Sequence, residues 1–378
     1  MKKVLVLGTK NYDFDLYNEF KNIGLNCYFC GSERSNLIPA KNWINIDYTN
    51  TKSIINFLNK NTDFEYIIPG SNDLAYISVC EILDKIDIKH KIQIDCLETA
   101  KNYLMKTEFR SQKILGKVLI PRILELNNIE DEEKKFVLKE DKMSGGKGVH
   151  IFKNGKDFKN NFKKALIKEN FVIEEYIDGS GHGISYVVKD GEIIFEFYDD
   201  EYYCKDKLAV VATSTPSSLR NEEKKIIKEF CLNYFKLYKL TNGFFHIQCI
   251  KKDKDIYILE CTRRLPGDYY HEFSSLSLGC SYLRIYIDSF FAKQITYPAH
   301  KFFKNIVRIV LDELISSEIE QSIELQDIIK SNLVKRKTLD GFRFGENKKK
   351  YLKKEALFLE FDNSLESKNF CNKLLKKI

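Results

Sequence analysis

A chain of 378 residues, 43% hydrophobic and 30% charged, is long and apolar enough to bury a sizeable core and does not have a disordered composition. Its 61 basic and 54 acidic residues leave a formal charge of +7, spread as lysines at helix-like spacing such as Lys156 and Lys159 and in the run 348–350. No cluster of Arg and Lys interleaved with aromatics stands out, which argues against a nucleic-acid partner, and no apolar run approaches the ~18 residues that span a membrane. The short apolar run at 4–7 reads as a first strand rather than a signal peptide. The ten cysteines then read as thiols of a reducing, cytoplasmic protein. Cys27 and Cys30 form a single CxxC inside a strand-like run with no second pair, so buried apolar thiols are expected there.

In chain order, residues 4–7, 26–29, 43–46 and 66–69 have the short apolar character of strands, and 12–24, 51–60 and 73–85 have helical periodicity. That alternation predicts an open parallel βα sheet. The turn Gly8-Thr9-Lys10 lacks the remaining glycines of a dinucleotide fingerprint. A helix is expected at 97–115. The pattern then changes to paired strands at 136–139, 149–152, 172–176, 184–188 and 193–198, with a helix at 157–169. A long helix at 221–239 precedes strands at 244–250 and 256–260. From about 303 a smaller module follows: a strand at 306–311, a short helix at 323–331, hairpin-like segments, and a last helix near 364–377.

Three segments carry chemistry. In the first, two apolar β runs flank Ser144-Gly145-Gly146-Lys147-Gly148. Glycines let backbone N–H groups approach and face an anion. Because this loop joins strand to strand, it differs from a Walker A loop, which joins strand to helix; it is either a plain hairpin loop or a lid that would cover phosphates. Lys139, ending the preceding strand, is placed to meet a phosphate as a point charge. In the second segment, Glu174 and Glu175 end an apolar strand; they are either a solvated edge or, with the backbone at Ile177, contacts for an adenine edge. In the third, a charged turn at 251–254 joins two strands. A turn centred near Asp253 would place Gln248 opposite Ile258 and diagonal to Glu260 on one face. An amide oxygen and a carboxylate converging there suit Mg²⁺, and Arg263 and Arg264 follow at once.

In this order the segments resemble the ATP-grasp superfamily over roughly 1–300, in its carboxylate–amine ligase type, with Gln248 also similar to the carbamoyl-phosphate synthetase branch. The resemblance implies a pre-ATP-grasp βα domain at 1–96, an ATP-grasp domain at 97–302 with a lid at about 134–178, and a small C-terminal α+β module at 303–378. Met105-Lys106-Thr107-Glu108-Phe109-Arg110 resembles the family's "DKxxxR" helix and 137–139 its "VxKP" strand, with Glu140 in place of proline. Lys106 and Lys139 would then contact phosphates, with Ser144, Gly145, Gly146 and Gly148 as the mobile phosphate loop. Glu174, Glu175 and Ile177 would form the adenine hinge, and His182 a ribose- or substrate-side contact. Gln248, Glu260 and Thr262 would be metal ligands; glutamate or aspartate is common at the first position and asparagine at the third. Arg264 would stabilise the transferring phosphoryl group and Arg263 orient a carboxylate.

The activity implied is ATP- and Mg²⁺-dependent (Mn²⁺ being the alternative ion) joining of a small carboxylate to an amine through an acyl phosphate. The alternatives are bicarbonate-dependent carboxylase or carbamoyl-phosphate chemistry, and a non-catalytic nucleotide-binding protein. A homodimer is compatible with the resemblance. Residues 198–203, Tyr-Asp-Asp-Glu-Tyr-Tyr, read either as a solvated acidic loop or as contacts for a cationic or amino-bearing substrate. His246 reads as a core histidine or a near-metal group, and His271 as structural or acceptor-side.

Overall fold

The computed structural model describes residues 2–89, 92–111, 116–140, 148–162, 170–204, 209–291, 303–339 and 355–378. The chain opens with β1 (Lys3–Leu7), α1 (Asn11–Phe14), α2 (Leu16–Asn22), β2 (Asn26–Cys30), β3 (Trp43–Ile44), α3 (Thr51–Lys60), β4 (Phe64–Pro69) and α4 (Asp73–Lys85). The four strands pair in parallel in the order β3-β2-β1-β4. Val4 to Leu7 are all fully buried, as expected of a parallel strand covered on both faces. In α3 the Asn50 side chain accepts from the Ser53 N–H at 3.1 Å, capping the helix, while Ile54 and Leu58 turn inward at i, i+4 spacing. Cys27 and Cys30 are buried, and burial pushes both thiols up, Cys30 to about 12.

The expected helix at 97–115 is broken at Met105 into α5 (Leu97–Leu104) and α6 (Lys106–Ser111), because Met105 adopts an extended conformation. Next come β5 (Phe136–Glu140), β6 (Val149–Phe152), α7 (Gly155–Asn161) and β7 (Phe171–Glu175). These strands form a separate antiparallel sheet, β6-β5-β7, over a small core of Phe136, Leu138, Phe152, Phe158 and Ile173. The expected helix ends at Asn161 among the described residues, and 163–169 lie outside them.

The chain then builds β8 (Ser180–Lys189), β9 (Glu192–Tyr203), β10 (Val210–Ser214), α8 (Asn221–Tyr238), β11 (Gly243–Lys252), β12 (Asp255–Thr262), α9 (Tyr270–Leu278) and α10 (Tyr282–Phe290). It ends with β13 (Asn305–Leu311), α11 (Glu313–Glu320), α12 (Ile323–Asn332), β14 (Leu333–Thr338), β15 (Glu355–Phe361) and α13 (Ser364–Lys377). One sheet runs through both regions in the order β12-β11-β8-β9-β10-β13-β15-β14. The C-terminal strands therefore extend the large sheet rather than forming one of their own, although they pack a distinct core of Val307, Ile309, Leu357, Phe370 and Leu374. Residues 198–203 are not a loop: they continue β9 to Tyr203, and Asp199, Asp200 and Glu201 are buried. Among the described residues no helix is long and apolar enough to cross a membrane.

Candidate active site

The hairpin β11–β12 sets the geometry. Its turn pairs Lys252 with Asp255 and puts Asp253 at φ 54°, and the register then slips between Gln248 and Cys249. Gln248 consequently lies directly opposite Glu260, where the regular ladder would continue to Leu259 and a turn centred on Asp253 would have given Ile258. The slip is a β-bulge that leaves Leu259 without a partner. Its carbonyl is used: Arg110, buried in α6, donates to it from Nη2 at 2.7 Å.

Glu260 shares a cleft with Thr262, Asp73, Lys106, Phe109 and Tyr103. Asp73 was not anticipated, although it opens α4 just beyond the C-terminal end of β4, where sites gather in parallel sheets. Thr262 Oγ1 donates to Asp73 Oδ1 at 2.8 Å, and Arg264 grips both its oxygens from Nε and Nη2, at 2.9 and 2.8 Å. Burial raises the Asp73 carboxyl, but Arg264, Thr262 and Lys106 together bring it below its ordinary value. Lys106, Glu260, Thr262 and Arg264 are thus brought to one place, with Arg264 and Thr262 tied to Asp73 rather than free.

Arg263 does not join them. Strand alternation turns it to the opposite side, where it is 2% exposed and donates to Asp95 Oδ1 (2.5 Å), Asn242 O and Phe244 O (both 3.0 Å) and Thr241 Oγ1 (3.2 Å). Its expected task of orienting a substrate carboxylate is replaced by a structural one.

Lys139 pairs with Glu174 across β5 and β7, and Arg110 Nε donates to the same carboxylate at 2.6 Å. Burial drives the Lys139 ammonium below its ordinary value although Glu174 and, from the large sheet, Glu260 pull it upward. Burial would likewise raise Glu174, but Arg110 and Lys139 hold it at about 2. Its side chain is therefore committed to two cations, not to an adenine edge. Glu175 Oε1 accepts from the Arg122 N–H at 2.8 Å, and Ile177 is buried in the link from β7 to β8. Gly148 carries φ 62° at the start of β6, and Ser144, Gly145 and Gly146 lie outside the described residues.

His182 is fully buried, with Nδ1 bonded to Asp200 and Nε2 to Ser180 Oγ, both at 2.9 Å. Asp200 also accepts from Ser217 and Ser218, so this histidine serves a packed network instead of a ribose. His246 Nδ1 meets Ser185 Oγ at 2.9 Å; burial first, then the charges of Arg264 and Arg308, lower it to about 3, which keeps it neutral. His271 Nε2 contacts Asp15 of α1–α2 at 2.9 Å.

Gln248 turns its NH₂ to both oxygens of Glu201 at 2.8 Å. An amide facing a carboxylate must present nitrogen, so its carbonyl oxygen is the atom left for a cation. A glutamate at 248 would instead oppose Glu201. Oxygen donors on Glu260 and Gln248, with Asp73 and Lys106 close by, fit a hard divalent ion accompanying a polyphosphate.

The sequence family described as the ATP-grasp domain matches residues 107–268. No curated protein sequence matches. Among solved structures, L-amino acid ligase from Bacillus licheniformis superposes with a TM-score of 0.72 at 14% identity, covering 100% of this chain and 98% of that one. N5-carboxyaminoimidazole synthetase from Staphylococcus aureus, complexed with ADP, gives 0.73 at 13% identity over 99% and 97%. Phosphoribosylglycinamide synthetase from Anaerococcus prevotii gives 0.65 at 15% identity over 100% and 98%. Residues 107–268, which carry Lys139, Glu174, Gln248, Glu260 and Arg264, are thus the part of the chain that matches the ATP-grasp domain family, and the fold of the whole chain is that of these solved structures.

Proposed function

We propose that the chain is an ATP- and Mg²⁺-dependent ligase that activates a small-molecule carboxylate as an acyl phosphate and passes the acyl group to an amine. The observation carrying this reading is that Lys106, Asp73, Glu260 and Thr262 line one cleft, against which Lys139 of the lid sheet is close enough to feel the charge of Glu260. Residues 1–96 contribute Asp73 to that cleft, 97–302 the remainder, and 303–378 the buried Arg308 beyond it.

In this reaction a carboxylate oxygen attacks the γ-phosphorus, ADP leaves, and the amine nitrogen then displaces phosphate from the acyl carbon with loss of a proton. The protein's part is positioning and charge neutralisation. Lys106 and Lys139 place two ammonium groups on the polyphosphate; to do so Lys139 exchanges Glu174 for phosphate, and Arg110 keeps Glu174 compensated. Glu260 and the Gln248 oxygen would hold Mg²⁺, which supplies charge neutralisation to the phosphates. Arg264, fixed by Asp73, adds a positive field without leaving its partner.

ADP release measured with ATP, Mg²⁺ and a panel of acids and amines tests the reading. Release is expected only when one acid and one amine are both present. Release that bicarbonate alone supports, or undiminished turnover in Glu260→Ala or Lys139→Ala, would overturn it.

A further inference from the structure

The face of the large sheet that carries Glu260 and Gln248 continues across the sheet, and further along it three buried polar atoms have no partner among the described residues. They are Asp199 Oδ1 on β9, Thr213 Oγ1 on β10 and Arg308 Nε on β13. The register puts them together. Gln248 pairs with Gly183, Gly183 with Asp199, Glu201 with Thr213, and Thr213 with Arg308, so these residues share one face. Gly183 leaves room for that carboxylate: a Cβ there would lie 2.8 Å from Asp199 Oδ2 and force it to shift. Tyr270 draws the ends inward, donating its hydroxyl to Asp199 Oδ2 while the Arg308 guanidinium lies 5.4 Å from its ring centroid.

The charges in this row do not balance. Glu201 is satisfied by the Gln248 amide and by the Tyr203 hydroxyl at 2.5 Å. Asp199 has Tyr270 alone, and two carboxylates two residues apart on one strand face share one arginine. Arg308 spends Nη1 on the carbonyls of Gly267 and Asp268, at 3.3 and 3.1 Å, and keeps Nε unpaired. A buried acceptor and a buried donor of opposite charge, left unpaired beside the same tyrosine, each cost stability unless a partner fills them. A ligand with an ammonium at one end and a carboxylate at the other satisfies both, with Thr213 as a neutral third contact.

Building on the ligase reading, we infer that the amine substrate is a free amino acid, its ammonium received by Asp199 and its carboxylate by Arg308. Asp199 is then the acceptor that orients the attacking nitrogen, and Arg308 excludes simple amines.

Calorimetric titration of the full chain with the twenty proteinogenic amino acids, in the presence of Mg²⁺ and a non-hydrolysable ATP analogue, tests this without turnover. At least one amino acid is expected to bind saturably, with its decarboxylated amine about 10- to 100-fold weaker, the scale of a lost charge-assisted bond. Asp199→Asn, and separately Arg308→Gln, should weaken that binding by a similar factor while a fluorescent ATP analogue still binds and the thermal transition remains cooperative. Asp199→Ala and Arg308→Lys serve as second variants should either fail to fold. Equal affinity for amine and amino acid, or no loss in the folded variants, would overturn the inference, as would water alone joining Asp199 to Arg308 with no amino acid bound. If no amino acid binds yet an acid and a non-zwitterionic amine together drive ADP release, the inference falls and the ligase reading stands. If an amino acid binds but no acid elicits ADP release, the amino-acid site stands and the ligase reading falls.

Discussion

Arg263 and Arg264 are neighbours in sequence but hold two different regions together. Behind the sheet, Arg263 is closed over by Asp95, which also accepts from Tyr103 at 2.7 Å, Tyr76 at 3.2 Å and the Thr241 N–H and hydroxyl at 2.8 and 3.0 Å. In front, Arg264 grips Asp73, whose side chain keeps 25% of its surface exposed and borders the Glu260 cleft with Lys106. Both arginines are buried ion-pair partners. The rear pair has spent its hydrogen-bonding capacity on the fold, whereas the front pair leaves a charged surface facing open space. Chemical type therefore says little about role here; the number of partners already satisfied says much more.

The largest effect expected from this contrast is on stability. Arg263→Met strands Asp95 as a buried charge and should cost about 3–5 kcal/mol in urea unfolding. Arg264→Met, beside the partly exposed Asp73, should cost about half that or less while depressing ligase turnover more deeply. Equal losses of stability in the two variants would erase the distinction between the regions.

A second, slightly smaller effect concerns the bridge of Arg110, Glu174 and Lys139 between α6, the lid sheet and, through the Leu259 carbonyl, the large sheet. Glu174 titrates at about 2 when folded, against ~4.3 for an ordinary glutamate, so folding favours its charged form. The associated stability is complete above the ordinary value and is lost as pH falls through the interval down to about 2. Glu174→Gln should lower stability at pH 7 by a few kcal/mol, on the order of 2–3, and flatten the acid limb of a stability–pH curve in that interval. An unchanged acid limb would show that the carboxylate is not held by its cations.

The legibility of these regions in the sequence follows from the range of the interactions. Parallel strands such as β1 and capped helices such as α3 are set by local pattern, and both appear where periodicity puts them. Lys139 and Glu260 were readable because each lies at or near the end of a strand that periodicity marks. Asp73 was not, since it meets Thr262 and Arg264 across 189 and 191 residues of sequence separation and nothing local marks it beyond its place after β4. The bulge at Leu259 was invisible for a similar reason: the group that uses its carbonyl, Arg110, is 149 residues away. Residues 198–203 left two readings open, a solvated loop and contacts for an amino-bearing substrate, and the structure sets aside only the loop. Three consecutive acids suggest a solvated loop, yet alternation sends Asp199 and Glu201 to one face and Asp200 to the other, each to its own buried partners.

The smallest expected effect separates the cleft from the row beyond it. Asp73→Asn removes the charge of the front pair and sets an amide NH₂ against one of the N–H donors of Arg264, and should lower turnover about 10-fold or more at a stability cost of about 1–2 kcal/mol. Gln248→Glu should cost the folded protein a similar amount, about 1–2 kcal/mol, by setting a carboxylate against Glu201 where an amide now donates two bonds. The cost arises only from that juxtaposition, so Glu201→Gln in the same chain should restore most of it. A double variant no more stable than Gln248→Glu alone would mean that Gln248 faces Glu201 without depending on it, and that the cleft and the acidic row are independent sites rather than one continuous face.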